Sequence, residues 1–325
     1  MKKIKLFTHT DLDGVGCGIV MKYVREGKNE IEISHCNYDI IDKEILEFLD
    51  TADLKEYVAV YVTDISVNEE TAKKISDFLY DIREAEYISF QLFDHHKTAN
   101  WLNKYYWANV YELLDEQKTS GTELLFQHFM DLGLVEKSKI PILFDFVKIV
   151  TNYDTWRWDN MEEQGFISKN VNDLLYIFGR DEFYHRMLSK FEDSEEFGVF
   201  CLSQTEKLIL EIKEKEKENY FSYKKQSLKI IQILQHKVGV VYADSYPSEL
   251  GNLLCKENPE IDYIAIINMS NCTVSLRTVK EDLDLGSIAK QFGGGGHPKA
   301  AGFKFEEGLL SFAKSMFYMN YSNHQ

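Results

Sequence analysis

The sequence predicts an α/β protein: an N-terminal parallel-sheet domain with helices on both faces, a linker helix and a smaller C-terminal α/β domain. Two observations predict this arrangement. Apolar strand-like segments alternate with amphipathic helical patterns near both ends of the chain, and the region between them has helical periodicity almost throughout. The expected boundaries are residues 1–195 for the first domain, 196–226 for the linker and 227–325 for the last domain.

In the N-terminal domain, short apolar segments with the composition of buried strands alternate with helical patterns. The expected strands are residues 3–9, 30–38, 57–65 and 87–96, and the expected helices are residues 14–27, 42–50 and 69–85. Such alternation builds βαβ units and a parallel sheet. Ligands of open α/β sheets bind beyond the carboxyl ends of the strands. Polar side chains that follow the strands are therefore expected in one crevice.

The middle of the chain, residues 119–225, is mainly helical by period and propensity. Its last part, residues 206–220, begins with spaced leucine and isoleucine and continues with lysine and glutamate. That pattern is typical of a solvent-exposed helix, which we expect to link the two domains and to allow a hinge. In the C-terminal domain, the expected strands are residues 227–234, 237–243, 262–269 and 272–279, with helices at 248–256 and 285–292.

The composition limits the partners of the protein. Its 325 residues include 53 acidic and 37 basic side chains, so the formal net charge is −16. A protein that grips long duplex nucleic acid normally presents many cations, so a long duplex is a poor partner. A small phosphorylated substrate is compatible if metal ions and a few local cations neutralise the phosphate. Because there is no run of 18 apolar residues, no signal-peptide pattern and no CxxC pair, we expect a cytoplasmic protein without a membrane partner.

The first candidate site residues follow the first expected strand, in the segment HTDLDG. His9, Asp11 and Asp13 alternate along the chain, and Gly14 allows a tight turn into a helix. Alternating side chains can point the same way and converge on one or two cations. A helix N-cap is the alternative explanation, but it accounts for one aspartate and not for all three residues.

Two more groups follow the third and fourth expected strands. Asp64 comes after the apolar run YVAVYVT, and the triplet Asp94, His95 and His96 comes after YISFQLF. For Asp64 alone, an N-cap is an equally good explanation because a helical pattern follows. Together these positions supply mixed nitrogen and oxygen ligands that suit Mn²⁺, Fe²⁺ or Mg²⁺.

A further aspartate, Asp154, lies in the segment TNYDTWRW of the helical region. Taken alone it is weak evidence for a metal ligand. Its neighbours Trp156 and Trp158 are expected to be core residues, since tryptophan is highly buried on average.

The last candidate group is in the C-terminal domain, in QFGGGGHPKAAGF. The glycines are Gly293, Gly294, Gly295 and Gly296. Consecutive glycines let the backbone approach a ligand and turn N–H groups toward an anion, and His297 and Lys299 add positive charge. A flexible hairpin or linker is the alternative, although the short run ends in His-Pro rather than in serine-rich sequence. Arg277 lies on an expected strand, where a solvent-facing side chain is the alternative explanation.

Taken in order, HTDLDG, YVTD, FDHH, NYD and GGGGHPKAAG resemble the motifs of the DHH phosphoesterase family with its DHH-associated C-terminal domain. The resemblance runs over nearly the whole chain. The SLRT segment followed by the glycine run is similar to the oligoribonuclease and RecJ-like branch rather than to the pyrophosphatase branch. The compact size is similar to the members that degrade nano-RNA, which are RNA oligonucleotides of a few residues.

The resemblance implies two divalent metal ions, with Mn²⁺ favoured and Mg²⁺ or Fe²⁺ as alternatives. The implied ligands of the first ion are His9, Asp11 and Asp64. The implied ligands of the second are Asp13, Asp64, His95 and Asp154, so that Asp64 would bridge the ions. His96 would face the substrate phosphate and Asp94 would orient a histidine. Arg277, the glycine run and His297 would bind a terminal or adjacent phosphate as the C-terminal domain closes.

The implied activity is hydrolysis of phosphodiester bonds by metal-activated water. The expected substrates are very short single-stranded RNA, pAp or linear dinucleotides. A cyclic-dinucleotide phosphodiesterase and a RecJ-like single-strand exonuclease are alternatives, as is a catalytically silent nucleotide sensor. The intact set of metal-competent positions argues against the sensor, which would not need both metal sites. A homodimer is compatible with the sequence.

Overall fold

The computed structural model describes residues 1–81, 88–161, 163–193 and 200–305. The chain forms two compact units, the first from Met1 to Leu210 and the second from Glu211 onward. The predicted division at residues 195 and 226 stays a prediction. No helix in these described ranges has both the length and the apolar composition of a membrane span.

The first unit is built on a five-stranded parallel sheet. Its strands are β1 (Lys3–Thr8), β2 (Glu30–His35), β3 (Tyr57–Thr63), β4 (Ser89–Asp94) and β5 (Ala108–Val110). Their order across the sheet is β2-β1-β3-β4-β5, and every neighbouring pair is parallel. The predicted parallel sheet is confirmed. Its topology places the carboxyl ends of β1, β3 and β4 side by side.

Seven helices of the first unit flank this sheet. They are α1 (Leu12–Arg25), α2 (Ile41–Thr51), α3 (Glu69–Asp81), α4 (Gly121–Asp131), α5 (Ile140–Asp154), α6 (Glu163–Phe178) and α7 (Arg180–Asp193). Short 3₁₀ helices occupy Leu54–Glu56, Lys97–Lys104 and Arg157–Asn160. A small hairpin pairs β6 (Leu113–Leu114) with β7 (Gln117–Lys118). The predicted helix at 69–85 ends at Asp81, and its residues 82–85 lie outside the described residues.

The two faces of the sheet are covered by different helices. Successive side chains of a strand point to opposite faces. Leu6 accordingly packs with residues of α1, α4, α5 and α7, whereas the next residue, Phe7, packs with residues of α2 and α3. Both clusters consist of residues that are almost fully buried. The prediction of helices on both faces is confirmed.

The second unit has its own sheet, and the boundary between the units falls inside helix α8 (Gln204–Ser227). The remaining elements are β8 (Lys229–Ile233), β9 (His236–Tyr242), α9 (Pro247–Glu257), β10 (Tyr263–Asn268), β11 (Thr273–Arg277), α10 (Leu285–Lys290), β12 (Gly295–His297) and β13 (Ala300–Lys304). The strand order is β12-β13-β11-β10-β9-β8, and only the β9–β10 pair is parallel. The smaller C-terminal α/β domain is confirmed.

Candidate metal centre

Three of the predicted ligands stand at the carboxyl ends of neighbouring strands. His9 follows β1, Asp64 follows β3, and His95 follows β4. Asp64 has a φ of 57°, a left-handed conformation that aspartate tolerates better than most residues. Its N–H donates to the carbonyl of Phe93 at 2.9 Å, which ties this turn to the end of β4. The strand ends thus bring together side chains that are far apart in the sequence.

The first cluster of ligand atoms consists of His9, Asp11 and Asp64. His9 Nδ1 lies 2.8 Å from Asp11 Oδ2 and 3.8 Å from Asp64 Oδ2. Ligand atoms of all three residues lie within 4.8 Å of one another, a spacing that one cation could span. Asp11 also caps α1, because its Oδ1 accepts a hydrogen bond from the N–H of Gly14. The N-cap and the ligand explanations of this segment are therefore compatible.

The second cluster is centred on His95. Its Nε2 lies 3.3 Å from Asp64 Oδ1, 3.5 Å from Asp154 Oδ2 and 3.7 Å from Asp13 Oδ2. Asp154 is the last residue of α5, so the end of that helix delivers it to the sheet edge. Because Asp64 contacts both His9 and His95 through different oxygens, it lies between the two clusters.

Helix α4 holds Asp13 in place, which the sequence reasoning missed. The N–H of Gly121 donates to Asp13 Oδ2 at 2.6 Å, and the N–H of Thr122 donates to Asp13 Oδ1 at 2.9 Å. Helix N-termini stabilise carboxylates in this way. The side chain of Ser120 caps the same helix. The S-x-x-E spacing of Ser120 and Glu123 was a readable signal for the start of α4.

Gly121 is also needed for packing. A Cβ at position 121 would lie 2.7 Å from Asp64 Cβ, which is closer than real Cβ contacts allow. The absence of a side chain thus lets the N-terminus of α4 approach both Asp13 and Asp64. The same two aspartates belong to the ligand clusters.

The electrostatics of the cluster favour a bound cation. Burial, together with the carboxylates of Asp13 and Asp11, raises the pKa of Asp64 well above its usual range. Burial and the same two neighbours raise the pKa of Asp154 to about 8. Oxygen Oδ2 of Asp64 is buried and has no hydrogen-bond partner among the described residues. A buried carboxylate oxygen that accepts no hydrogen bond is costly, and a divalent ion bound there would relieve that cost. The nitrogen and oxygen donors fit such an ion.

Asp94 and His96 form a pair at the edge of the clusters. Asp94 is fully buried, and its Oδ1 accepts hydrogen bonds from the N–H of His95 at 2.8 Å and of His96 at 3.2 Å. The same oxygen lies 2.8 Å from His96 Nδ1. A carboxylate can only accept, so His96 Nδ1 carries the proton and Nε2 is left for a ligand.

Behind His9, two residues that the sequence reasoning did not single out support its backbone. His35 Nδ1 lies 2.8 Å from the carbonyl oxygen of His9, and His35 Nε2 lies 3.2 Å from the Tyr184 hydroxyl. Burial lowers the pKa of His35 to about 4, so its ring is neutral. Nδ1 therefore donates to the carbonyl, and Nε2 accepts from Tyr184. No local sequence signal marks this pair, since 149 positions separate the partners.

The predicted phosphate-binding residues lie in the second unit. Arg277 is half-buried on β11, and its guanidinium donates to the Ser248 hydroxyl at 2.7 Å and to the carbonyl of Leu276 at 2.8 Å. Burial lowers its pKa. His297 is exposed at the end of β12, so both side chains have groups that solvent or a ligand can reach.

The glycine run leads into the hairpin of β12 and β13. Gly293 and Gly296 have φ values of 75° and 139°, which favour glycine. A Cβ at position 296 would lie 2.5 Å from the Cα of Ala301, and one at position 294 would clash with the carbonyl of Gly302. A Cβ at Gly295 would meet nothing within 4 Å. The hairpin that the sequence analysis discounted is therefore present. Backbone conformation or close packing accounts for glycine at positions 293, 294 and 296 without a ligand.

Comparison with known proteins agrees with this architecture. The family model of the DHHA1 domain matches residues 236–318. Oligoribonuclease NrnB of Bacillus subtilis (strain 168) is 36% identical over 299 residues, which are 91% of this chain and 71% of the relative.

Two solved structures share the fold. An uncharacterized protein from Helicobacter pylori G27 matches with a TM-score of 0.50 at 22% identity, covering 94% of both chains. The pGpG-specific phosphodiesterase PggH from Vibrio cholerae also matches with a TM-score of 0.50, at 12% identity, covering 98% of both chains. Together with the order of the ligand motifs on the sheet, these similarities show that the chain belongs to the DHH phosphoesterase family and carries a DHHA1 domain at its C-terminal end.

Proposed function

We propose that this protein is a metal-dependent phosphodiesterase that hydrolyses very short RNA oligonucleotides. The observation that carries the proposal is the convergence of two histidines and four aspartates at one edge of the parallel sheet. The 36% identity to an oligoribonuclease over most of both chains supports the reaction class and the short substrate.

The proposed occupancy is two divalent ions, with Mn²⁺ as the first choice. His9, Asp11 and Asp64 would hold one ion, and Asp13, Asp64, His95 and Asp154 would hold the other. When bound, the ions would lower the pKa of water to supply the nucleophile and would offset the charge of the phosphate.

The residues of the chain have separable roles in this proposal. The N-terminus of α4 fixes the Asp13 carboxylate, so that its geometry does not depend on the substrate. Asp94 fixes the ring of His96 with the proton on Nδ1. The same hydrogen bond raises the pKa of His96, and in the protonated ring Nε2–H would donate to a nonbridging oxygen of the substrate phosphate. Arg277, His297 and the N–H of Gly295 would bind another phosphate of the same substrate.

The substrate class follows from charge as well as from similarity. A net charge of −16 disfavours long polyanions, whose affinity depends on many cationic contacts. Oligonucleotides of two to five residues need few such contacts. pAp and linear dinucleotides fulfil the same requirement, and the cytoplasm is the compartment that we propose for this activity.

A digestion panel with Mn²⁺ tests the proposal. It compares 5′-labelled RNA of two to five nucleotides with a 24-nucleotide RNA, pAp and cyclic di-AMP. We expect the short RNAs to have the highest kcat/KM. Faster hydrolysis of the 24-mer would contradict the short-substrate proposal and favour a RecJ-like exonuclease. Preference for cyclic di-AMP would favour the cyclic-dinucleotide alternative, and a lack of turnover on all substrates would favour the sensor.

A further inference from the structure

A cavity of about 280 Å³ lies in the first unit directly beside the ligand clusters. Its lining includes His95, His96 and Asp154 from the site itself. The lining also includes an aromatic side chain, Trp156, and two basic side chains, Lys97 and Lys118. Concave sites of a few hundred Å³ with an apolar wall and a few polar groups are typical of small-ligand sites.

Trp156 is the unusual member of this lining. It was expected in the core, but the structure contradicts that prediction, because 69% of its surface is exposed. Its neighbour Trp158 is half-buried and stacks on Tyr153 with ring centroids 5.9 Å apart. The core explanation therefore fails for Trp156, whose ring lies at the surface with its centroid 5.7 Å from that of Trp158.

The backbone at Trp156 is strained. Its φ of 59° and ψ of 16° are left-handed, a conformation that is rare for a bulky residue without a turn or another constraint. Such conformations cost free energy, and they cluster at ligand-binding sites. This turn places a large aromatic ring two residues after the proposed ligand Asp154, on the wall of the cavity.

Arg157 locks this turn onto the facing hairpin. Its guanidinium donates to the Thr155 hydroxyl at 2.9 Å, to Gln117 Oε1 at 3.1 Å and to the carbonyl oxygen of Lys118 at 2.5 Å. One side chain thus joins the segment of Trp156 to strand β7, which carries Lys118. The wall of the cavity is therefore formed before any ligand binds. Binding would then cost little conformational entropy for ordering the Trp156 segment.

The two lysines provide positive charge in an acidic protein. Lys97 and Lys118 are exposed, and neither has an ion-pair partner among the residues that the structure describes. Glu112, another carboxylate of the lining, accepts a hydrogen bond from Asn100 at 2.5 Å. The free ammonium groups are well placed for a phosphate, while the indole offers a flat apolar face.

We propose that this cavity is a nucleotide subsite in which Trp156 stacks on a base and Lys97 and Lys118 contact its phosphate. The proposal rests on the proposed function for its substrate, a nucleotide of the short RNA next to the scissile bond. Stacking on an aromatic ring tolerates every base, because each base has a π face. The subsite therefore recognises a nucleoside monophosphate unit without selecting its sequence.

Equilibrium binding of two probes tests the stacking role apart from catalysis. The dissociation constants of adenosine 5′-monophosphate and ribose 5-phosphate are measured by calorimetry in the Mn²⁺-loaded protein. The wild type should bind the adenosine compound on the order of 10-fold more tightly, which is the range of one base–aromatic stack. Trp156→Ala should abolish that preference, and Trp156→Phe should retain most of it. Phe144→Ala, which removes another exposed ring near the other end of α5, is the matched control and should change neither constant.

The lysine variants separate the phosphate contact from the base contact. Lys97→Ala and Lys118→Ala should weaken both probes by the same factor and leave their ratio unchanged. An unchanged preference in Trp156→Ala, or no preference in the wild type, would overturn the subsite. These results are distinct from a failure of the proposed function, which would show as a lack of RNA hydrolysis by a protein that still prefers the adenosine compound.

Discussion

Asp64 is the residue on which both ligand clusters depend. Asp64→Asn removes the charge but keeps the shape, and asparagine tolerates the left-handed backbone at this position as well as aspartate does. We expect the variant to lose its bound Mn²⁺ and its kcat to fall by more than about 100-fold. Substitution of residues that only support metal ligands already lowers activity by up to about 100-fold. Metal content by mass spectrometry and single-substrate kinetics on a trinucleotide measure both effects.

Asp50→Asn is the matched control for this prediction. Asp50 is an exposed aspartate on α2, on the face of the sheet away from α1 and α4. Its variant should keep the wild-type metal content and kcat. Near-normal hydrolysis by Asp64→Asn as well would contradict the proposed role of Asp64 as a ligand shared by both clusters.

Gly121 affects the position of Asp64, because glycine has no side chain to occupy the space next to it. The methyl group in Gly121→Ala would lie 2.7 Å from Asp64 Cβ, so Asp64 or the start of α4 must shift. We expect kcat to fall about 10- to 100-fold with the fold retained, the range for groups that position metal ligands. Circular dichroism and kcat, measured on the same preparation, test this. Wild-type kcat in a folded Gly121→Ala protein would show that the site adjusts freely.

At the scale of elements, the junction of α7 and α8 depends on a buried ion pair. Glu206 is only 4% exposed, and it accepts hydrogen bonds from the Lys190 ammonium and from the N–H of Ser203, both at 2.7 Å. Burial opposes ionisation, yet these two donors hold the pKa of Glu206 below its usual range. The stabilisation is therefore present above the unfolded pKa near 4.3 and is lost as the pH falls through the folded value.

Glu206→Gln should lower the free energy of unfolding by about 1.5–3 kcal/mol at pH 7, the value for hydrogen bonds to a charged group. The difference from the wild type should shrink as the pH falls below about 4. Urea unfolding at several pH values measures it. Glu182→Gln on α7 removes an exposed ion pair with Arg186 and should cost less than about 1 kcal/mol. If Glu206→Gln lowered the free energy of unfolding by less than about 1 kcal/mol at every pH, as expected for Glu182→Gln, the stabilising role of the buried ion pair would be contradicted.

In the glycine hairpin, a pair of substitutions separates packing from ligand binding. Gly295→Ala meets no atom within 4 Å, so we expect an unchanged melting temperature. If a phosphate packs against the N–H of Gly295, the added methyl group would crowd that phosphate although the N–H remains. The variant should then raise the KM for a 5′-phosphorylated dinucleotide more than for the unphosphorylated one. Gly296→Ala should lower the melting temperature, because its φ is 139° and its Cβ would lie 2.5 Å from Ala301 Cα. Equal changes in KM for both dinucleotides would show that Gly295 does not contact the 5′-phosphate.

The elements were predictable where hydrophobic periodicity is strong and less so where it is not. The buried strands that precede His9, Asp64 and His95 are apolar runs that stand out in the sequence. Strand β5 and the hairpin of β6 and β7 have three residues or fewer per strand, too few for a periodic signal. The same limit applies to β12, where the glycines carry no hydrophobic pattern.

At the scale of the whole molecule, metal binding and folding of the first unit should be linked. The proposed ligands come from three strand ends, from the start of α1 and from the end of α5, so an unfolded chain cannot present them together. An ion that binds only the native state stabilises it by about 2.7 kcal/mol at a hundredfold excess over its Kd. We expect Mn²⁺ to raise the melting temperature of the chelator-treated wild type by about 5–10 °C. Asp64→Asn should show a much smaller rise in the same fluorimetric titration, and an equal rise in both proteins would place the ion elsewhere.

The parts of the site that escaped prediction depend on long-range packing. His35 and Tyr184 meet across 149 positions, and α4 reaches Asp13 across 108. Strand-end motifs can be read locally because topology alone brings them to one edge. The exposure of Trp156 could not be read, since it follows from the left-handed turn and the Arg157 contacts.

The spread of the ligands along the chain also sets the order of events during synthesis. His9 leaves the ribosome first and Asp154 last, a gap that takes on the order of ten seconds at ordinary translation rates. Until α5 has been made, a passing cation meets an incomplete ligand set with little power to select among metals. If the proposed ligands hold the metal, the complete site exists only after α5 has formed, and we expect selection among ions to take place in the folded protein.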